Sequence, residues 1–444
     1  MGRDGLFDDL PEMAEPKGAA SEGRPRLREP ERDRVELMVM NPDGLIGPDH
    51  PARVIWAYVL TLDLSELEEA VRARAHTPGQ APASPRLLLA LWLYATSEGV
   101  GSARALARLC ENHDAYRWLC GGVSVNYHGL SDFRAAHPDL LDRLLMDNVA
   151  ALSAAGVIDL DEVVQDGIRV RASAGAGSFR RKKKLHKELK KAARLVARLK
   201  AENQADPAAS DRRIRAAQER AARERQARLQ AALAKHAEIE AERKRREKTN
   251  KKQLAAQKEP RVSTTDPQAR VMKMADGGYR PAYNGQAATV AGGQIVVAVS
   301  AVTVGSDRGL VRPMVERIER DHGRTPKRYL VDGGFTKSDD TEWTFARGIR
   351  LYGPPTRSKH KTDPYAPRRK DGPGVAAWRR RMKNSHGKSV YKRRARGEWI
   401  NARFRRFGLS QFTVRGIEKV TTVLRWCALA NNVLVGHRLT ASAA

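Results

Sequence analysis

From Leu37 to about Ala155, apolar residues return at helical intervals. Ile55, Trp56, Tyr58, Val59 and Leu60 form one set, and Leu87, Leu88, Leu89, Leu91, Trp92 and Leu93 a second. Ala103, Leu106, Ala107 and Cys110 follow, then Leu140, Leu141, Leu144 and Leu145. Breaks at Gly79, Gly99-Val-Gly101 and Gly121-Gly122 separate the sets, so the spacing predicts an all-α domain of five or six helices over residues 38–155. Inside it, Ser102 to Trp118 followed by Tyr127-His-Gly-Leu-Ser-Asp-Phe-Arg134 reads as helix, turn, helix, with Ser131 or Asp132 able to cap the last helix. One reading has that helix offer Asp132, Arg134 and His137 to a DNA groove; the plainer one is a capped surface helix of a bundle.

Beyond residue 155 the period shortens. A β-branched run ends at Asp166 in Glu162-Val-Val-Gln-Asp-Gly, and Tyr329-Leu-Val ends at Asp332 before Gly333-Gly334. Residues 282–290 and 294–302 flank Gly292-Gly293 as a hairpin. A helix is predicted over 308–321, another over 339–347, a short strand over 349–352, and a last apolar helical stripe from Ile417 to Val433, followed by a tail at 438–444. Strand, hairpin, helix, strand, helix, strand and a closing helix is the ribonuclease-H-like α/β plan, assigned to residues 156–178 and 261–437.

Between its first and second strands lies a charged interruption. Residues 179–260 hold 27 Lys+Arg and 11 Asp+Glu with many Ala, Gln and Leu, a composition that favours helix. Leu185, Leu189, Ala192, Val196 and Leu199 repeat as a coiled-coil seam, and Asp206-Pro207 marks a turn, so an antiparallel helical hairpin is predicted. As a solvated spacer it would need no partner, yet Phe179-Arg-Arg-Lys-Lys-Lys184 and Arg243-Lys-Arg-Arg246 repel themselves unless a polyanion is near. Net charge over all 444 residues is +29, which points to nucleic acid well ahead of a membrane surface. Residues 1–37 lack periodicity and read as a disordered arm with no apolar signal core. Cys110, Cys120 and Cys427 are too few for a disulfide framework, and Cys110-x2-His113 with Cys120 and His128 fits no common zinc spacing.

The chemistry gathers late in the chain. At 100° per residue Tyr391, Arg394, Glu398 and Arg405 fall within about 60° of one another, giving one helical face a carboxylate ringed by phosphate-binding groups. Gly397 beside Glu398 weakens a helix, which suggests close approach of another backbone or a ligand. Asp166 shares a strand face with Val164 and Ile168, so it is a half-buried carboxylate needing a partner, or a turn residue before Gly167.

On Asp166, Asp332 and the Tyr391-x2-Arg394-x3-Glu398-x6-Arg405 spacing, the chain resembles the Asp-Asp-Glu transposases of bacterial insertion sequences, the group marked by a Tyr-Arg-Glu-Lys signature. Arg405 stands where that group usually has lysine, and the long insertion and the 66-residue interval from Asp332 to Glu398 also depart from it. The resemblance implies that Asp166, Asp332 and Glu398 are catalytic and hold two Mg²⁺ or Mn²⁺ ions, and that residues 38–155 bind transposon ends. It implies that Tyr391, Lys392, Arg394, Arg405 and Arg134 contact DNA, with double-stranded ends and target as substrates and a homodimer or larger assembly, in the bacterial cytoplasm and at no membrane. Two rivals are an inactive, transposase-derived DNA-binding protein and a tyrosine recombinase using Tyr391; the second lacks a convincing His-x-x-Arg partner.

Overall fold

Glu162–Arg171 (β1) occupies the middle of a six-stranded curled sheet, because its apolar side chains on both faces, Val163, Val164, Ile168 and Val170, are all buried. Phe179–Arg180 (β2) and Val262–Ser263 (β3) form a separate two-stranded ribbon. On one side β1 pairs antiparallel with Tyr279–Val290 (β5), whose ends pair in turn with Arg270–Lys273 (β4) and Val296–Val302 (β6). On the other side β1 runs parallel to Arg328–Val331 (β7), which runs parallel to Arg350–Tyr352 (β8). The computed structural model describes residues 41–71, 73, 81–205, 211–247, 259–292, 294–355 and 363–443. The arm at 1–37, the Asp206-Pro207 turn and Gly293 lie outside the described residues.

Seven α-helices, among the described residues, precede the sheet: Pro51–Leu60 (α1), Ser65–Glu69 (α2), Pro85–Ser97 (α3), Ala103–Asn112 (α4), Asp114–Cys120 (α5), Tyr127–Ala136 (α6) and Pro138–Ala154 (α7). The predicted stretch from Ser102 to Trp118 is two helices, broken at His113, whose ring accepts a hydrogen bond from the Ala115 N–H and caps the second. Neither Ser131 nor Asp132 caps α6. Asn126 does, accepting from the Gly129 N–H at 2.8 Å, because the helix begins five residues earlier than a Ser131 cap would allow.

The insertion is a pair of helices, Lys182–Ala205 (α8) and Arg212–Glu247 (α9). They run antiparallel: Lys182 meets Glu240 near the root, and Asn203 donates to Glu219 near the other end. Leu185 and Ala192 of the predicted seam are buried against Leu229, Ala232 and Val262, whereas Leu189 is half-buried. The β2–β3 ribbon closes the root of this hairpin.

Val311–His322 (α10) and Ser338–Ala346 (α11) link the parallel strands. Pro373–Lys383 (α12), Ser385–Lys392 (α13) and Ala395–Arg406 (α14) follow the sheet, and Ile417–Ala443 (α15) ends the described chain. The predicted tail is therefore a continuation of α15, held by intrahelical bonding such as Thr440 to Gly436. Ile55, Leu91 and Leu145 of the N-terminal helices share one hydrophobic cluster with Ile168 of β1, Phe404 of α14 and Leu424 of α15. A second contact joins the same regions: Gly99 after α3 and Gly408 after α14 both hold left-handed backbone, and a Cβ on Gly408 would lie 2.7 Å from the Gly99 carbonyl. No helix among the described residues is long and apolar enough to cross a membrane.

Candidate active site

Two of the three predicted carboxylates are set side by side by strand register. Gln165 of β1 pairs with Val331 of parallel β7, and Asp166 and Asp332 each follow by one residue, with the two backbones about 5 Å apart. Asp332 lies just past the end of β7 and Asp166 in mid-strand, because β1 continues to Arg171 against β5 beyond the sequence-predicted end of its run. Asp332 is exposed and caps the short 3-10 turn Gly333–Phe335 through the Gly333 N–H. Asp166 is enclosed. Burial pushes its carboxyl up to about 6, the Gly167 N–H and Arg394 pull it down, and the charges of Asp332 and Asp307 push it further up.

Helix α14 brings the third carboxylate. A Cβ at Gly397 would lie 3.0 Å from Val164 Cβ and overlap Val164 Cγ1, so only glycine lets the helix settle directly on β1. The close approach inferred from sequence is thus to a strand side chain. With the helix seated there, Asn401 Nδ2 donates to Asp166 Oδ2 at 2.9 Å, and Glu398, one turn earlier, projects outward and exposed.

Tyr391 and Glu398 do not share one helix. Arg393 and Arg394 form a turn between α13 and α14 in which Arg394 N–H bonds to Tyr391 and Gly397 N–H to Arg394, each spanning three residues. Lys392, Arg393, Arg394 and Arg396 are four cations in five residues, which disfavours a continuous helix, and two of them turn to opposite charges. Arg393 reaches Glu162 at 3.0 Å. Arg394 pairs with Glu398, approaches Asp166 at 3.9 Å and lies 5.9 Å from the Tyr391 ring centroid. Tyr391, Arg394, Glu398 and Asp166 therefore still converge, with the guanidinium at their centre. Burial raises the Tyr391 hydroxyl while Arg394 lowers it.

Lys392, the last residue of α13, and Arg405, in the last turn of α14, are exposed. Arg134 is placed differently from the groove-reading expectation. Its guanidinium donates to the Gly101 carbonyl and, at 3.1 Å, to Thr413 Oγ1, and stacks 4.7 Å over Trp92. Those contacts form because α6 lies against α4 and the approach to α15, which turns Arg134 inward. Among the described residues no three His, Cys, Asp or Glu side chains stand close enough to hold a metal ion, and this includes Cys110, His113, Cys120 and His128. Asp166, Asp332 and Glu398 are therefore not drawn into one such group, and Arg394 lies between Glu398 and the flank of Asp166.

Sequence reasoning missed Asn401, although its position three residues after Glu398 put it on the same helical side. It also missed a buried polar layer on the other face of β1. Gln286 Nε2 donates to Asp307 Oδ1 at 2.9 Å, Asn284 Nδ2 to the same oxygen at 2.7 Å, and Gln165 Nε2 to Gln286 Oε1 at 2.8 Å. Alternating Asn284 and Gln286 in an otherwise apolar strand was the available signal.

Residues 41–136 match a family model described as a transposase domain (DUF772). Comparison with curated proteins and with solved structures gives no match. The match supports a transposase family, which suggests transposition as the function and nucleic-acid cleavage as the activity. It spans the N-terminal helices and stops short of the carboxylates.

Proposed function

We propose that this chain is a DNA transposase of the Asp-Asp-Glu type with a ribonuclease-H-like core, cutting double-stranded inverted-repeat ends and joining the freed 3′ ends to target DNA. The observation that carries the reading is the register of adjacent parallel strands β1 and β7, which sets Asp166 beside Asp332, with the helix that bears Glu398 seated on β1 by Gly397. The order β1, β5, β6, helix, β7, helix, β8 and then the helix of Glu398 supports that reading. Cytoplasmic action in a bacterium, as a homodimer or larger assembly, belongs to the same reading.

Asp166, Asp332 and Glu398 would hold the divalent cations, Mg²⁺ or Mn²⁺. The donors suit a cation: all are carboxylates, and at Asp166 burial outweighs the pull of the Gly167 N–H and Arg394, so its carboxyl is raised to about 6. When bound, two such ions would activate a water or 3′-hydroxyl and stabilise the leaving oxygen. The chain's own groups have separate tasks. Asn401 holds Asp166 in orientation by donating to Oδ2 at 2.9 Å, while the Gly167 N–H donates to Oδ1 at 2.9 Å. Arg394 balances Asp166 and Glu398 while no phosphate is present; a phosphodiester entering the site competes for that guanidinium and is gripped by it and by Tyr391. Lys392 and Arg405 flank the path of the backbone.

The test is cleavage of linear DNA bearing the short inverted repeats that border the coding region. Wild-type protein should nick the repeat ends with Mg²⁺, and Asp332→Asn or Glu398→Gln should lose cutting at least a thousandfold while end binding stays within about threefold. End binding by wild-type protein with no cutting in either metal would select the inactive DNA-binding reading instead.

A further inference from the structure

A cleft of about 1040 Å³ opens between α4, α6 and the segment that leads into α15. Four cations line it, Arg104, Arg134, Arg415 and Lys419, against one carboxylate, Asp132. Arg134 is its floor and ties the two walls together through Gly101 and Thr413. Arg104, Arg415 and Lys419 are exposed at its edges. The cleft is therefore a built, positively charged groove, and charge of that density selects a polyanion.

Its second property is a stack of flat groups. The Arg104 guanidinium lies 5.1 Å from the Tyr127 ring centroid, and the His128 ring lies 4.0 Å from that of Tyr127 with 33° between the planes. Tyr127 is 37% exposed although no apolar neighbour requires it at the surface. Flat side chains in a basic groove bind nucleobases through their faces, and in a duplex those faces are already covered by neighbouring base pairs. Only unpaired nucleotides can use such a stack.

We propose that this cleft binds a short single-stranded DNA segment, its bases extending the Arg104–Tyr127–His128 stack and its phosphates meeting Arg415 and Lys419. The source of the strand rests on the function proposed above, since opening or cutting an end supplies unpaired nucleotides.

The experiment measures binding of the full-length protein, without metal, to fluorescent dT12 and to a 12-base-pair duplex lacking the repeat sequence. Tyr127→Ala should weaken dT12 binding at least tenfold and duplex binding less than twofold, in line with the usual contribution of one aromatic–base stack. Tyr127→Phe should retain the dT12 affinity, and the Arg415→Gln, Lys419→Gln double variant should flatten the salt dependence for dT12. Equal weakening of both probes by Tyr127→Ala, or no weakening of either, would overturn the proposal. Melting temperature guards against misfolding, and His128→Ala gives the same comparison if Tyr127→Ala is unstable. No cutting is required, so failure of the cleavage reading leaves this result interpretable by itself.

Discussion

Burial of the Asp166 carboxyl outweighs the pull of the Gly167 N–H and Arg394, and that imbalance is measurable. In the folded chain it keeps its proton up to about pH 6, whereas an unfolded aspartate releases it near 3.8. Between those values the native state holds more protons, so this group's contribution to stability is complete below about pH 4 and falls as pH rises through 6. About two pKa units correspond to about 3 kcal/mol as an upper figure. Asp166→Asn should therefore raise the melting temperature of the metal-free protein by several degrees at pH 7.5 and by much less at pH 4.5, as calorimetry would show. Mg²⁺ should stabilise the wild type more at pH 8 than at pH 5, and the Asn variant at neither. Tyr391→Phe removes only a hydroxyl from a half-buried ring. Cleavage should fall between a few-fold and tens-fold without change in melting temperature, and complete loss would revive a covalent role for the phenol.

At the scale of elements, α14 acts through its fit to β1. Gly397→Ala gains about 1 kcal/mol of helix propensity but collides with Val164, and overpacking of this kind costs about 1–3 kcal/mol. The variant should melt a few degrees lower and cut at least tenfold more slowly, and adding Val164→Ala should restore much of the rate by making room. If Gly397→Ala cuts normally, the seating of α14 does not position Glu398. Strands β1, β5, β6, β7 and β8 and the helices between them were legible because alternation and turn residues are local signals. The break between Tyr391 and Glu398 was not, since periodicity alone has no account of four neighbouring cations, two of which turn to Glu162, Asp166 and Glu398. The inward turn of Arg134 was equally hidden: its partners Gly101 and Thr413 come from distant sequence. Asp166 and Asp332 could be named because each closes a short apolar run, but β1 continues past Asp166 to Arg171, and their adjacency needed the register of β1 on β7.

Over the whole molecule, excess charge is concentrated. Residues 179–260 and 356–406 carry net charges of +16 and +15, so the rest of the chain is close to neutral against a total of +29. Replacing residues 182–260 by an Asn-Gly turn across the β2–β3 ribbon should leave a folded protein whose affinity for non-specific duplex declines less steeply with salt, since fewer counterions are released. An unchanged slope in a titration series would make the helical pair a spacer.

The contact between Gly99 and Gly408 adds a rule about length. Helix α14 is gripped near its start by Val164 at Gly397 and just past its end by Gly99 at Gly408. One residue added between those grips would rotate one end by about 100° and shift it by about 1.5 Å relative to the other, so both fits could not survive together. This stretch should behave as a gauge of fixed length, open to exchange of side chains on its outer side and closed to insertion or deletion. Among descendants of this chain, variation in size is to be sought elsewhere.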